Sequence, residues 1–164
     1  MNLRKLTAEF LGTALLVIFA VGVATLSFGF KLTGSSVSAG VLATALAFGL
    51  TVLALAYTIG PISGCHVNPA VTMGFVASGR MTLSEAAGYW LAQFLGGIAG
   101  ALVLWAIVST SPTYSRAVTG LGTDGYGKNS MIGINAGGAF LAEVILTFLF
   151  VFVVLGATSR LGSP

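Results

Sequence analysis

Charge is scarce in this sequence. Seven Lys or Arg and four Asp or Glu make up 7% of 164 residues, where soluble domains carry about a quarter. That deficit excludes most soluble folds. Cysteine occurs once, at Cys65, and histidine once, at His66, which rules out an intramolecular disulfide and a cysteine-based metal cluster. With no second His and no acid beside the Cys65-His66 pair, nucleophilic chemistry has no partner set. No metal motif, nucleophile elbow or pair of carboxylates on one helix face is present, so the sequence does not read as an enzyme. The net charge of +3 is scattered rather than gathered in a stripe, which excludes a nucleic-acid partner. Neither a cofactor nor a metal is implied.

Apolar residues, by contrast, are abundant. Hydrophobic residues make up 56% of the chain and glycine contributes 23 positions, the composition of helices that face lipid and pack closely on one another. About 20 apolar residues cross the hydrocarbon core. Uncharged runs of that length predict spans over Phe10–Phe30, Val37–Ile59 and Ala86–Val108, and a fourth over Gly138–Ala157 that is interrupted by Glu143. Tyr89, Trp90 and Trp105 stand near the ends of the third span, where interfacial aromatics belong. The region 110–134 reads as a polar extramembrane loop rich in Gly, with Asp124 and Lys128 as solvated charges. With a cytoplasmic N-terminus, Arg4, Lys5, Arg80 and Arg160 lie inside and Lys31, Arg116 and Lys128 outside, in agreement with the positive-inside rule.

No charged residue falls between Lys31 and Arg80, a stretch too long for one helix. Gly60, Pro61, Gly64 and Pro69 are expected to break it. Broken backbone at membrane depth is tolerated only where it is buried in protein or lines a water-filled cavity, so residues 60–79 form a candidate re-entrant segment. Within it, Ser63–Val67 is expected to be extended, offering carbonyl oxygens as acceptors. Asn68-Pro69-Ala70 reads as the start of a short helix running towards Ser78, with Asn68 as N-cap and Pro69 at the first helical position. A half-helix N-terminus carries partial positive charge, which opposes cations and protons. A donor at the centre and acceptors on the approach suit a small neutral hydrogen-bonding solute.

Ala8–Gly22 and Ala142–Gly156 match at six of 15 positions, including Glu9 with Glu143 and Thr13 with Thr147. The first and fourth spans cross the membrane in opposite senses, so this is an inverted repeat of the kind found in transporters and channels. Glu9 and Glu143 are costly in lipid and are expected to face protein. The pairs Gly96/Gly100 and Gly133/Gly137 read as helix-contact faces.

These residues carry a resemblance. Ser63-Gly64-Cys65-His66-Val67-Asn68-Pro69-Ala70-Val71-Thr72, the Ala-Glu openings of spans one and four, Ala47-Phe48-Gly49-Leu50-Thr51-Val52 and Gly88-Tyr89-Trp90-Leu91-Ala92-Gln93 resemble the aquaporins, the major intrinsic proteins, and among them bacterial water-selective channels of the Z type. The resemblance implies an all-α membrane protein, an aquaporin-like inverted-repeat helix bundle with a re-entrant half-helix, here incomplete at four spans plus one half-helix. It implies a single membrane domain over 1–164, with a first repeat over 1–109 and the start of a second over 135–164. It also implies passive, single-file water conduction that excludes ions and protons, with water as permeant and a homotetramer in the cell (inner) membrane. Asn68, Pro69 and Ala70 would form the central donor motif, and Gly64, Cys65 and His66 would present pore-lining carbonyls. Phe48 would sit at the outer constriction, while Glu9 and Glu143 would brace the re-entrant loops.

The family pattern has six spans and two Asn-Pro-Ala segments. At the repeat offset of 134, the second segment would fall near position 202, beyond Pro164. The sequence therefore reads as ending after the fourth span, before the second motif, the fifth-span constriction residue and the selectivity arginine. Two alternatives follow: a glycerol or small-solute facilitator, which Phe48 disfavours, and a non-conducting truncated membrane protein.

Overall fold

The structure, a computed structural model, describes residues 2–159. Arg160 and the tail 161–164, which entered the charge comparison and the second repeat, lie outside the described residues. Among the described residues, four helical spans are long and apolar enough to cross a membrane: Leu3–Gly29, Val37–Ser63, Leu83–Val108 and Ala136–Ala157.

The first span is not a uniform α-helix. α1 (Leu3–Leu16) opens on Asn2, whose side chain accepts from the Arg4 N–H, as a helix cap should. It passes into a π-helical turn at Val17–Val21, a short α turn, α2 (Gly22–Ala24), and a second π turn at Thr25–Gly29. The Thr25 hydroxyl donates to the Val21 carbonyl at 2.8 Å, the i−4 bond that Thr13 and Thr58 also make in their helices.

α3 (Val37–Ser63) is capped by the Ser36 hydroxyl and terminates at Gly64, which adopts the left-handed conformation at φ +88°. It runs straight through Gly60 and Pro61, which the sequence led us to expect as breakers. Pro61 lies in the last turn with only Ile62 and Ser63 after it in the helix, so the lost donor and the crowding of its ring against the preceding turn fall at the helix end. α4 (Pro69–Ala77) is the expected half-helix. α5 (Leu83–Val108) follows a reciprocal cap: the Glu85 N–H donates to Thr82 Oγ1 at 3.3 Å and the Thr82 N–H to Glu85 Oε2 at 3.2 Å, a capping box. α6 (Ala136–Ala157) starts under Asn135, whose Oδ1 accepts from the Gly138 N–H at 2.8 Å.

The chain packs as two compact units. One comprises Met1–Pro69 with Ala87–Gly122, the other Ala70–Ala86 with Thr123–Pro164. The core of the first is built largely from small residues: Ala8, Ala14, Ala20, Ala24 and Ala92 are buried. Gly96 and Gly100 of α5 lie on the backbone of α1 at Phe10 and Ala14, so the expected Gly96/Gly100 face is a close helix crossing. The loop after α5 folds back within the same unit. Gly29 abuts Thr119, Gly122 abuts Val21 and Ala24, and the Tyr114 ring stands 6.2 Å from that of Phe30.

In the second unit, Gly74 of α4 lies against Val151 and Leu155 of α6. The expected Gly133/Gly137 contact is not formed. Gly133 has open space where a side chain would project, and Gly137 meets only the Asn135 cap, because these residues belong to the turn and cap that launch α6. Asp124 and Lys128 are exposed, as expected.

Candidate functional site

The site is assembled around one carboxylate. Glu9 sits in the middle of α1 with no solvent exposure, a position costly for an ionisable group unless it is fully hydrogen-bonded. Four donors meet it. At Oε1 it accepts from the Ser63 hydroxyl (2.7 Å) and the His66 N–H (2.9 Å). At Oε2 it accepts from the Val67 N–H (2.7 Å) and Gln93 Nε2 (2.8 Å). A carboxylate is an acceptor-only group, and every partner here donates.

The geometry of the segment between α3 and α4 explains why a carboxylate is needed. Ser63–Val67 is not extended as expected. Gly64, Cys65 and Val67 lie at φ +88°, +53° and +42°. Left-handed backbone is easy for glycine, strained for cysteine and an outlier for a β-branched residue such as valine. Successive backbone N–H groups in such a run converge to form a concave anion-binding nest. Here the anion is the Glu9 carboxylate, and the bonds it accepts offset the strain. The donor accounting closes: Gly64 N–H goes to Gly60 O (2.8 Å), Cys65 N–H to Ser63 Oγ (3.1 Å), and His66 and Val67 N–H to Glu9. The carbonyls are the other half. Those of Gly64 and Cys65 accept no hydrogen bond among the described residues, and Gly64 is exposed.

α5 holds both ends of this segment. The Tyr89 hydroxyl donates to the Ser63 carbonyl at 2.7 Å, and the Trp90 indole N–H to the Pro69 carbonyl at 3.1 Å. The His66 and Tyr89 rings stand 5.0 Å apart, and both residues are buried. Tyr89 therefore faces protein rather than an interface, while Trp90 is half-buried. Tyr89 is only 3% exposed, and both polar ends are spent on the segment's carbonyls. Replacing Tyr89 with phenylalanine is expected to cost about 1 kcal/mol, read as a lowered unfolding midpoint in detergent with the helix content unchanged.

The expected site residues are thus placed as follows. Glu9, Gly64, Cys65 and His66 come together. Asn68 is half-buried and immediately precedes α4, which Pro69 and Ala70 open. Phe48 stands apart from this cluster on α3, 39% exposed, and Glu143 is exposed on α6. Tyr89, Trp90 and Gln93 were not identified as parts of the site from sequence, and Ser63 entered only through its carbonyl. The signal available was spacing, since Tyr89, Gln93, Gly96 and Gly100 fall on one helical stripe.

Membrane-length helices together with a half-helix entered through a strained, carboxylate-held turn define a class of integral membrane protein, one with broken backbone stabilised inside protein. The sequence profile of the major intrinsic protein family matches residues 1–162, and the chain belongs to that family. It is 45% identical to Aquaporin Z of Brucella melitensis over 160 residues, covering 98% of this chain and 68% of that protein. It is 42% identical to Aquaporin Z of Rhodopseudomonas palustris over 158 residues (96% and 64%), and 41% identical to that of Photorhabdus laumondii over 162 residues (99% and 68%). The chain thus spans between 64% and 68% of the length of these curated relatives.

Proposed function

We propose that this chain forms part of a passive channel for water, with ions and protons excluded and no covalent chemistry. The observation that carries the reading is the polarity of the turn before α4. All N–H groups of residues 64–67 are turned to protein acceptors, while the carbonyls of Gly64 and Cys65 keep their acceptor capacity. A permeating water gives up hydrogen bonds to bulk water and needs such acceptors in sequence. Next along the chain comes Asn68, whose amide can donate, and the positive end of the α4 dipole, which opposes cations. Nine residues at about 1.5 Å each make α4 about 14 Å long, half a hydrocarbon core of about 30 Å. A helix of that length entering from one membrane face would begin near the midplane, which supports Asn68 as the central donor.

The names of the relatives support water as the permeant. Phe48 at an outer constriction, Glu143 as a second brace, a homotetrameric assembly, and an inner-membrane location with a cytoplasmic N-terminus belong to the same reading.

Osmotic shrinkage of proteoliposomes tests it. The 164-residue chain is expected to shrink vesicles faster than the lipid alone, with a low activation energy. Asn68→Asp, which places a carboxylate at the half-helix start, is expected to reduce that rate about tenfold. Shrinkage at the protein-free rate overturns conduction by the 164-residue chain itself.

A further inference from the structure

We propose that Arg80 is a positioning residue for the half-helix, tying the C-terminal end of α4 to the C-terminal end of α6 and so fixing the axial position of the rod that begins at Pro69. The inference rests on the channel reading above.

The chain reaches this arrangement by local steps. α4 ends in a Schellman motif: the Gly79 N–H donates to Val76 O at 3.0 Å and the Arg80 N–H to Phe75 O at 2.9 Å, with Gly79 at φ +70°. The motif turns Arg80 back along its own helix, where the guanidinium carbon lies 4.3 Å from the centre of the Phe75 ring, a cation–π contact. From there Nη1 donates to the Leu155 carbonyl (3.2 Å), and Nη2 to the Thr158 carbonyl (2.7 Å) and hydroxyl oxygen (3.0 Å). The Thr158 hydroxyl in turn donates to Val154 O at 2.7 Å, which leaves its lone pairs for Arg80.

α6 has no basic residue in its own last turn, so its terminal carbonyls, which carry the negative end of the dipole, receive their cation from the segment after α4. The guanidinium meets two carbonyls and a hydroxyl, and an ammonium with three rotatable donors on a long stem can make part of that set. At mid-length Gly74 abuts Val151, leaving the Arg80 clamp to resist sliding of α4 along α6.

Two readouts test the assignment, one of which does not depend on conduction. Cys65, the single cysteine, lies four residues before α4, and its alkylation by N-ethylmaleimide in the reconstituted protein reports displacement of that end. Arg80→Ala is expected to change the alkylation rate about threefold and to lower water permeability per protein by a similar factor. Arg80→Lys, which keeps the charge, is expected to recover at least half of each change. Arg80→Gln replaces Arg80→Ala if the alanine variant does not insert. Unchanged alkylation and permeability in the variant lacking the charge overturn the proposal, as does failure of Arg80→Lys to recover either one. If the unsubstituted chain conducts no water, the channel reading falls and the alkylation rates alone decide the clamp.

Discussion

Glu9→Ala is expected to lower stability by on the order of 4 kcal/mol and to abolish water flux. The side chain is fully buried and is the shared acceptor for the Ser63 hydroxyl, the His66 and Val67 N–H groups and the Gln93 amide. Removing it takes the shared acceptor from the buried His66 and Val67 N–H groups and the Gln93 amide, while the Ser63 hydroxyl keeps the Ile59 carbonyl at 3.5 Å, and an unsatisfied buried donor costs about 1–3 kcal/mol. Relaxation of the turn recovers part of that sum. The same relaxation releases Cys65 and Val67 from left-handed backbone, which persists only where surrounding contacts impose it. Stability and site geometry therefore fail together. Glu9→Gln preserves shape but turns an NH2 group towards donors, and an intermediate loss is expected. Thermal unfolding in detergent, followed beside vesicle shrinkage, checks both. A Glu9→Ala protein that melts with the parent would remove the carboxylate from the centre of the site.

Gly96→Ala is the second substitution with a large expected effect. A Cβ at this position would overlap the Phe10 carbonyl oxygen, and a backbone atom cannot rotate away as a side chain can. Separation of α5 from α1 is the only relief, at about 3 kcal/mol, the upper range for overpacking. The neighbour supplies the control. At Gly97 the nearest atom, Thr13 Cγ2, stands 4.0 Å away, ordinary contact distance, and Gly97→Ala is expected to be neutral or to stabilise by up to about 1 kcal/mol through helix propensity. Unfolding midpoints of the two variants check the contrast, and equal midpoints would exclude a crossing as close as that at Phe10.

Spans and half-helix were legible because uncharged length, proline position and the Asn68-Pro69 start act locally along the chain. Helix ends were less legible. The third span begins at Leu83 rather than Ala86 because Thr82 and Glu85 cap it, and α3 continues through Pro61 to end two residues later, at Ser63. The carboxylate at Glu9 stood out by its cost in lipid. Its partners did not, since a tyrosine near the end of an apolar run has the same local pattern whether it faces headgroups or a carbonyl 26 residues earlier. The left-handed turn at 64–67 was hidden for a similar reason. Cys65 and Val67 have no local preference for it, and only the distant Glu9 selects it.

The two π turns of the first span, Val17–Val21 and Thr25–Gly29, bear on how this chain can change in length. A transmembrane helix ordinarily resists single-residue insertion or deletion, because each one rotates everything beyond it by about 100° and turns a buried stripe towards lipid. A π turn already contains one residue more than the α turn it replaces. Deleting a residue at such a turn regularises the helix and leaves the faces on either side in phase. The first span therefore holds two places where the gene can lose a codon without re-registering the helix against α3 and α5.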